Sequence, residues 1–192
     1  MIIKPPHRLA TRYDATDLVA LVSQSSLGTA EIIWSSMAKP GESAYTVALR
    51  MARSENTSMS YRSAIVTDWG SGVMAALIGY RLPDRPQPID PTVHPVAVPW
   101  LELRNETCGY WHLASLAVYP EHRGMGLGSA LLHLVQPLQE MSDAKGVCLH
   151  VADRNLGARR LYERYGFRQT GSRPMAKGQW RNPGNDWLLY SR

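Results

Sequence analysis

Arg123, Gly124, Gly126 and Gly128 stand between an apolar run, Trp111 to Val118, and an amphipathic stripe that starts at Leu127. Glycines there let the backbone turn tightly and present N–H groups with no Cβ in the way. A helix start adds partial positive charge, so an anion can sit against it, and Arg123 puts a full charge at the same mouth. The chemistry this predicts is the holding of a phosphate or pyrophosphate. A P-loop needs Gly-Lys-Ser/Thr, whereas Ser129 follows Gly128 with no lysine. A dinucleotide fingerprint needs G-x-G-x-x-G with an acidic ribose partner, and neither is present.

The pattern that fits is Arg-x-x-Gly-x-Gly (Arg123, Gly126, Gly128), which resembles the acetyl-CoA pyrophosphate loop of the GNAT superfamily of N-acetyltransferases. A second match lies downstream. Asn155, Ala158, Leu161, Tyr162, Gly166 and Phe167 form an Asn…Ala…Leu-Tyr…Gly-Phe pattern similar to the other half of that superfamily's cofactor site. The resemblance covers the chain from about Tyr61 onward; before that it holds in layout only. It implies acetyl-CoA as co-substrate, no metal, and direct transfer of the acetyl group to an amine. The acceptor is expected to be a small molecule, ahead of a protein N-terminus or a lysine. A non-catalytic acyl-CoA sensor is the rival from another class.

Acetyl transfer requires that the thioester be held, its carbonyl polarised, the amine deprotonated and the thiolate stabilised. The resemblance assigns holding to Arg123, Gly124, Met125, Gly126, Leu127, Gly128 and Ser129, and polarisation to backbone amides of Leu116, Ala117 and Val118. Asn155 and Ala158 are expected along the pantetheine arm, and Tyr162 against the sulfur as donor to the leaving thiolate. The base is harder. Two positions where superfamily members carry glutamate hold His112 and His150 here. Imidazole, with a pKa of about 6.5, suits proton transfer near neutrality, so these two rank first, with Glu102 and Glu31 in reserve. Trp34, Met37, Trp100, Tyr110 and Trp111 could line an acceptor pocket or fill the core. Cys148 is expected to be buried and inert.

The elements that must position these residues can be read from the pattern. At 192 residues and 44% apolar content, the chain suits one domain. The resemblance implies a first strand and acceptor-side helices over 1–60 and a cofactor-binding core over 61–192, in a GNAT-like α/β fold: a mixed, mostly antiparallel sheet flanked by helices and splayed between its fourth and fifth strands. Strands are expected at His7–Tyr13, Tyr61–Asp68, Val73–Arg81, Trp111–Val118, Val147–Ala152, Phe167–Thr170 and Trp187–Ser191. Helices are expected after Asp14 as N-cap, over Thr29–Met37 and Glu42–Arg53, from Leu127 to Met141 with a bend at Pro137, and after Asn155 as N-cap up to Gly166. Six prolines between Leu82 and Pro99 predict an extended loop. It either covers the acceptor site, packs a second copy in a homodimer, or is a passive excursion. A short helical turn at Trp100–Asn105 follows it.

No apolar window is long enough to span a membrane, the N-terminus lacks a signal-peptide pattern, and two cysteines make no disulfide framework. A cytoplasmic setting is expected. The net charge of +5 is spread along the chain without aromatic interleaving, so nucleic acid is not an expected partner.

Overall fold

A computed structural model describes residues 3–192. In chain order the elements are β1 (His7–Leu9), α1 (Ala15–Ser25), α2 (Thr29–Ser36), α3 (Ala44–Arg53), β2 (Ala64–Asp68), β3 (Val73–Arg81), α4 (Val98–Asn105), β4 (Trp111–Val118), α5 (Leu127–Leu132), α6 (Val135–Met141), β5 (Val147–Ala152), α7 (Leu156–Arg164), β6 (Arg168–Pro174) and β7 (Asp186–Ser191). The strands make a mostly antiparallel seven-stranded sheet in the order β1-β2-β3-β4-β5-β7-β6. Among the described residues, β4 and β5 pair in parallel over Trp111↔Val147 to Leu113↔Leu149, while β4 runs on to Val118 and β5 to Ala152.

The chain groups into two compact units, residues 1–80 with 114–134, and residues 81–113 with 135–192. In the first, Leu18, Leu21, Trp34, Val47, Ala48, Val66 and Ile78 form the core beneath α1, α2 and α3. Tyr119 N–H bonds the Met74 carbonyl at 3.0 Å and ties the end of β4 to the start of β3. In the second, α6 packs on β5, and α4 packs on β6 and β7. Leu103, Leu149, Phe167, Leu189 and Tyr190 are fully buried there.

Several boundaries differ from the sequence reading, each for a local reason. The first strand stops at Leu9, and Arg12–Asp14 form a 3₁₀ turn. Asp14 precedes α1 but does not cap it. Its carboxylate accepts instead from Thr11 N–H (2.7 Å), Thr11 Oγ1 (2.9 Å) and both terminal nitrogens of Arg8 (2.8 Å each). Arg8 also reaches Asp68 at 2.9 Å, so one guanidinium ties together β1, the turn and the end of β2. The first three residues of the expected second strand, Tyr61–Ser63, are a 3₁₀ turn as well.

The proline-rich segment ends earlier than predicted. Pro95–Ala97 form a 3₁₀ turn and α4 starts at Val98. Pro95 and Pro99 fall in first turns, where a missing N–H costs nothing. The long helix expected from Leu127 breaks into α5 and α6 at His133–Leu134, one turn before Pro137. Proline has no N–H for the carbonyl four residues back, and its ring crowds that turn. The break therefore falls on the N-terminal side of Pro137, not at it.

Arg8 holds the Asp14 carboxyl below the usual carboxylate range, aided by the Thr11 bonds and opposed by burial. A carboxyl lowered on folding stabilises above its unfolded value of about 3.9 and loses that contribution as pH falls through the depressed value. Asp14→Ala should cost about 2–3 kcal/mol in urea unfolding at pH 7. The difference from the parent should shrink as the pH falls below about 4.

Candidate active site

In the first unit the site begins on β4. Ala114 is exposed, Ser115, Leu116 and Val118 are half-buried, and Ala117 is buried. Ser25, the last residue of α1, shares a 3.1 Å hydroxyl contact with Ser115. After Tyr119, whose hydroxyl donates to Asp17 at 2.8 Å, Pro120–His122 make a 3₁₀ turn and the loop opens. Gly124 and Gly126 hold φ of 78° and 79°, a left-handed backbone that other residues adopt at a cost. A Cβ at either position would meet nothing within 4 Å, so backbone conformation, not crowding, demands glycine here. Arg123, Gly124, Met125 and Gly126 are exposed.

The first bond of α5 runs from Ala130 N–H to the Gly126 carbonyl at 2.9 Å. The amides of Leu127 and Gly128 therefore precede any i−4 acceptor of the helix. Arg123 Nε donates to the Val118 carbonyl at 3.1 Å, which folds the charge back over the strand end. An exposed glycine turn, a helix start and an adjacent guanidinium suit a pyrophosphate.

In the second unit, His112 on β4 is in register with Cys148 on β5, which puts it beside His150. His112 Nε2 and His150 Nδ1 are 3.1 Å apart, with ring centroids at 5.0 Å. His112 is buried; His150 is half-buried, with its Nε2 shut off from solvent and without a hydrogen-bond partner. Desolvation, then the charge of Arg104, pulls His150 down to about 3. Desolvation, His150 and Arg104 together take His112 well below its ordinary value. The pair is neutral at pH 7. One imidazole donates and the other accepts. Cys148 beneath it is pushed up to about 11 by burial, while Thr107 bonds its sulfur and lowers it somewhat. It is a thiol.

Asn155 does what a helix cap does: its Oδ1 accepts from Ala158 N–H at 3.2 Å. Arg159 in the next turn bonds the Asp153 carbonyl at 3.0 Å and Tyr190 at 3.2 Å. Tyr162 is buried, set edge-on to Phe167 at 5.9 Å, and burial alone pushes its phenol up to about 12. Of the reserve carboxylates, Glu102 pairs with Arg173 at 3.4 Å, and Glu31 accepts from Ser23 and Ser26. Trp34 and Trp111 are core residues, whereas Met37 is exposed.

Arg104 and Thr107 are the residues that sequence reasoning missed. Their effect reaches the histidines and Cys148 through packing of α4 over the second unit's sheet, and no local pattern announces it.

The profile of the acetyltransferase (GNAT) family matches residues 62–167. The chain belongs to that family. Over 88 residues it is 31% identical to a Bacillus subtilis (strain 168) protein named as a candidate ribosomal protein bS18-alanine N-acetyltransferase. That match covers 43% of this chain and 56% of the relative, so the chain spans about half the length of the curated relative it matches. Among solved structures, one acetyltransferase superposes with a TM-score of 0.66 at 18% identity, with 97% of each chain covered. A GNAT family acetyltransferase from Elizabethkingia anophelis, solved with acetyl-CoA bound, gives 0.50 at 16% identity over 67% of this chain and 73% of its own. At these identities the likeness is one of fold. Among the described residues, no helix is long and apolar enough to cross a membrane, and no three His, Cys, Asp or Glu side chains cluster as for a metal.

A histidine held neutral by folding lets the unfolded chain bind protons that the folded chain refuses. Stability is then whole above about pH 6.5 and falls as pH drops towards the folded pKa. The slope is up to about 1.4 kcal/mol per pH unit for each ring. His7, partly desolvated, shifts the same way, so parent and variant must be compared. His150→Phe should flatten the fall in unfolding free energy between pH 6.5 and 5; an unchanged slope would show that His150 is charged in the fold.

Proposed function

We propose that this chain transfers the acetyl group of acetyl-CoA directly to a primary amine, and that an α-amino group is the favoured acceptor. The reading is carried by the loop from Arg123 to Ser129, a left-handed glycine turn ahead of α5, in a chain that belongs to the GNAT family. The amides of that loop and Arg123 hold the pyrophosphate. Backbone amides of Leu116, Ala117 and Val118, beyond the last recorded β4–β5 pair, orient the thioester carbonyl. Asn155 and Ala158 serve the pantetheine arm, and Tyr162 faces the sulfur. The co-substrate reading draws support from the acetyl-CoA bound to the Elizabethkingia relative.

Tyr162 acts as a hydrogen-bond donor and keeps its proton. A phenol near 12 would lose about 5 kcal/mol in handing its proton fully to a thiolate near 8.5. Donation without transfer still stabilises developing charge.

The base follows from the same arithmetic. Moving a proton from an alkylammonium near 10.4 to an imidazole near 3 costs about 10 kcal/mol, whereas losing it to solvent at pH 7.4 costs about 4. His150 and His112 as they stand are poor proton acceptors, and their neutral pair supports the strands instead. With no strong base, the acceptor must supply its own neutral amine. An α-amino group near 7.7–8.0 is about a quarter neutral at pH 7.4, and a lysine only about 0.1%. The Bacillus relative, named for an alanine N-acetyltransferase, is consistent with that class. A small molecule with an amine of equally low pKa meets the same requirement.

Thiol release from acetyl-CoA should be fastest with peptides bearing a free N-terminal alanine, and at least tenfold slower with N-blocked lysine peptides. Release with lysine or high-pKa amines alone would overturn the α-amino assignment, and no release with any amine would overturn the activity. Rate should rise with pH along the amine's own titration near 8, with the same midpoint in His150→Phe; a midpoint that moves would restore the histidine as base. Tyr162→Phe should lower kcat by about 10–100-fold and change the acetyl-CoA KM by less than about threefold.

A further inference from the structure

The proline-rich segment between β3 and α4 is tied to the second unit by hydrogen bonds. Its β3 end is pinned by Leu82 N–H to the Tyr110 carbonyl (2.8 Å) and Gly109 N–H to the Pro83 carbonyl (2.9 Å). Its middle is clamped by Asn105, whose Oδ1 accepts from Gln87 N–H at 3.0 Å while its Nδ2 donates to the Gln87 carbonyl at 2.8 Å. Between this strap and α4 lies a cavity of about 210 Å³. At about 30 Å³ per water it holds roughly seven. Hydration alone is a poor occupant, because Leu82, Ile89, Val93 and Leu101 supply apolar wall.

The charges around the wall are unequal. Arg85 and Arg104 line it against a single carboxylate, Asp90. Asp90 is already engaged, its Oδ1 accepting from Thr92 N–H at 2.8 Å and Thr92 Oγ1 at 2.7 Å. Arg104 is further steadied over the Trp100 ring at 5.8 Å. A cationic amine would face two guanidiniums, so the charge separates this cavity from an acceptor site.

We propose that the cavity between the proline-rich strap and α4 is a binding site for a small aliphatic carboxylate, with its tail against Leu82, Ile89, Val93 and Leu101 and its carboxylate on Arg104 and Arg85. With room for about seven waters, the half-open cavity suits a ligand of roughly eight non-hydrogen atoms. Prolines and the Asn105 clamp preform the site, which reduces the ordering cost of binding. Arg104 is also the charge that depresses His112 and His150, so its neutralisation by a carboxylate would be felt at that pair.

The test is titration of the full chain with 4-methylpentanoate, its neutral amide and isopentylamine, by calorimetry and by amide chemical shifts. It needs no acetyl transfer, so its result stands apart from the activity. The carboxylate should bind one per chain with shifts centred on residues 82–108 and reaching His112 and His150, and the amide and amine at least tenfold more weakly. Arg104→Met should weaken the carboxylate at least tenfold, and Ile89→Trp, at a half-buried position of the strap, should abolish binding by filling the cavity. Ile89→Trp decides alone if Arg104→Met fails to fold. Equal affinity for amide and carboxylate, binding that survives Ile89→Trp, or no binding at millimolar carboxylate would overturn the site.

Discussion

The constraint on which both units depend is the backbone of β4. An eight-residue strand must satisfy its amides and carbonyls somewhere, and buried strands rarely leave them orphaned. Here three residues, Trp111 to Leu113, are paired in parallel with β5, and the remaining five belong to the other compact unit. On its other side β4 lies next to β3 in the sheet, and Tyr119 N–H just past its end bonds the Met74 carbonyl. Ala114, directly after the last parallel pair, is exposed.

Burial then decides the chemistry of four side chains in the second unit. His112, His150, Cys148 and Tyr162 are four titratable groups, and each is driven towards its neutral form. Desolvation is the first cause in all four, with Arg104 adding to it at the histidines. A phenol is useful when neutral, because it donates. An imidazole near pKa 3 is not useful as a base, because the proton has a cheaper route to water. The same physical effect thus strengthens one candidate and weakens two.

The sequence carried the order of elements, the glycine loop and the helix bearing Asn155 and Tyr162, because each rests on local rules: periodicity, glycine conformation, a cap three residues before its donor. It placed β5 at Val147–Ala152 without error. It failed where a partner outside the expected pattern claimed the group. Asp14 is a natural cap by type, but Arg8 and Thr11 claim its carboxylate. Pro137 was legible as a breaker, but the break falls a turn earlier because the ring disturbs the residues before it. The two histidines were legible as neighbours on adjacent strands. Their protonation was not, since it depends on burial in the folded unit and on the charge of Arg104, carried by a helix that packs on β6 and β7.

That last point bears on how function should be argued in this family. The residue types at 112 and 150 suggest bases, and only their surroundings can say whether the suggestion holds. Once desolvation sets the pair near neutrality in form and low in proton affinity, the burden of deprotonation passes from the enzyme to the acceptor. An acceptor that carries the burden well has an amine pKa close to the working pH, as an α-amino group does and a lysine does not. Substrate class is then constrained by what the site lacks in basicity as much as by what lines it. On the proposed reading, a carboxylate at either histidine position would relax that constraint, and these two residues would then help to set the range of amines acetylated.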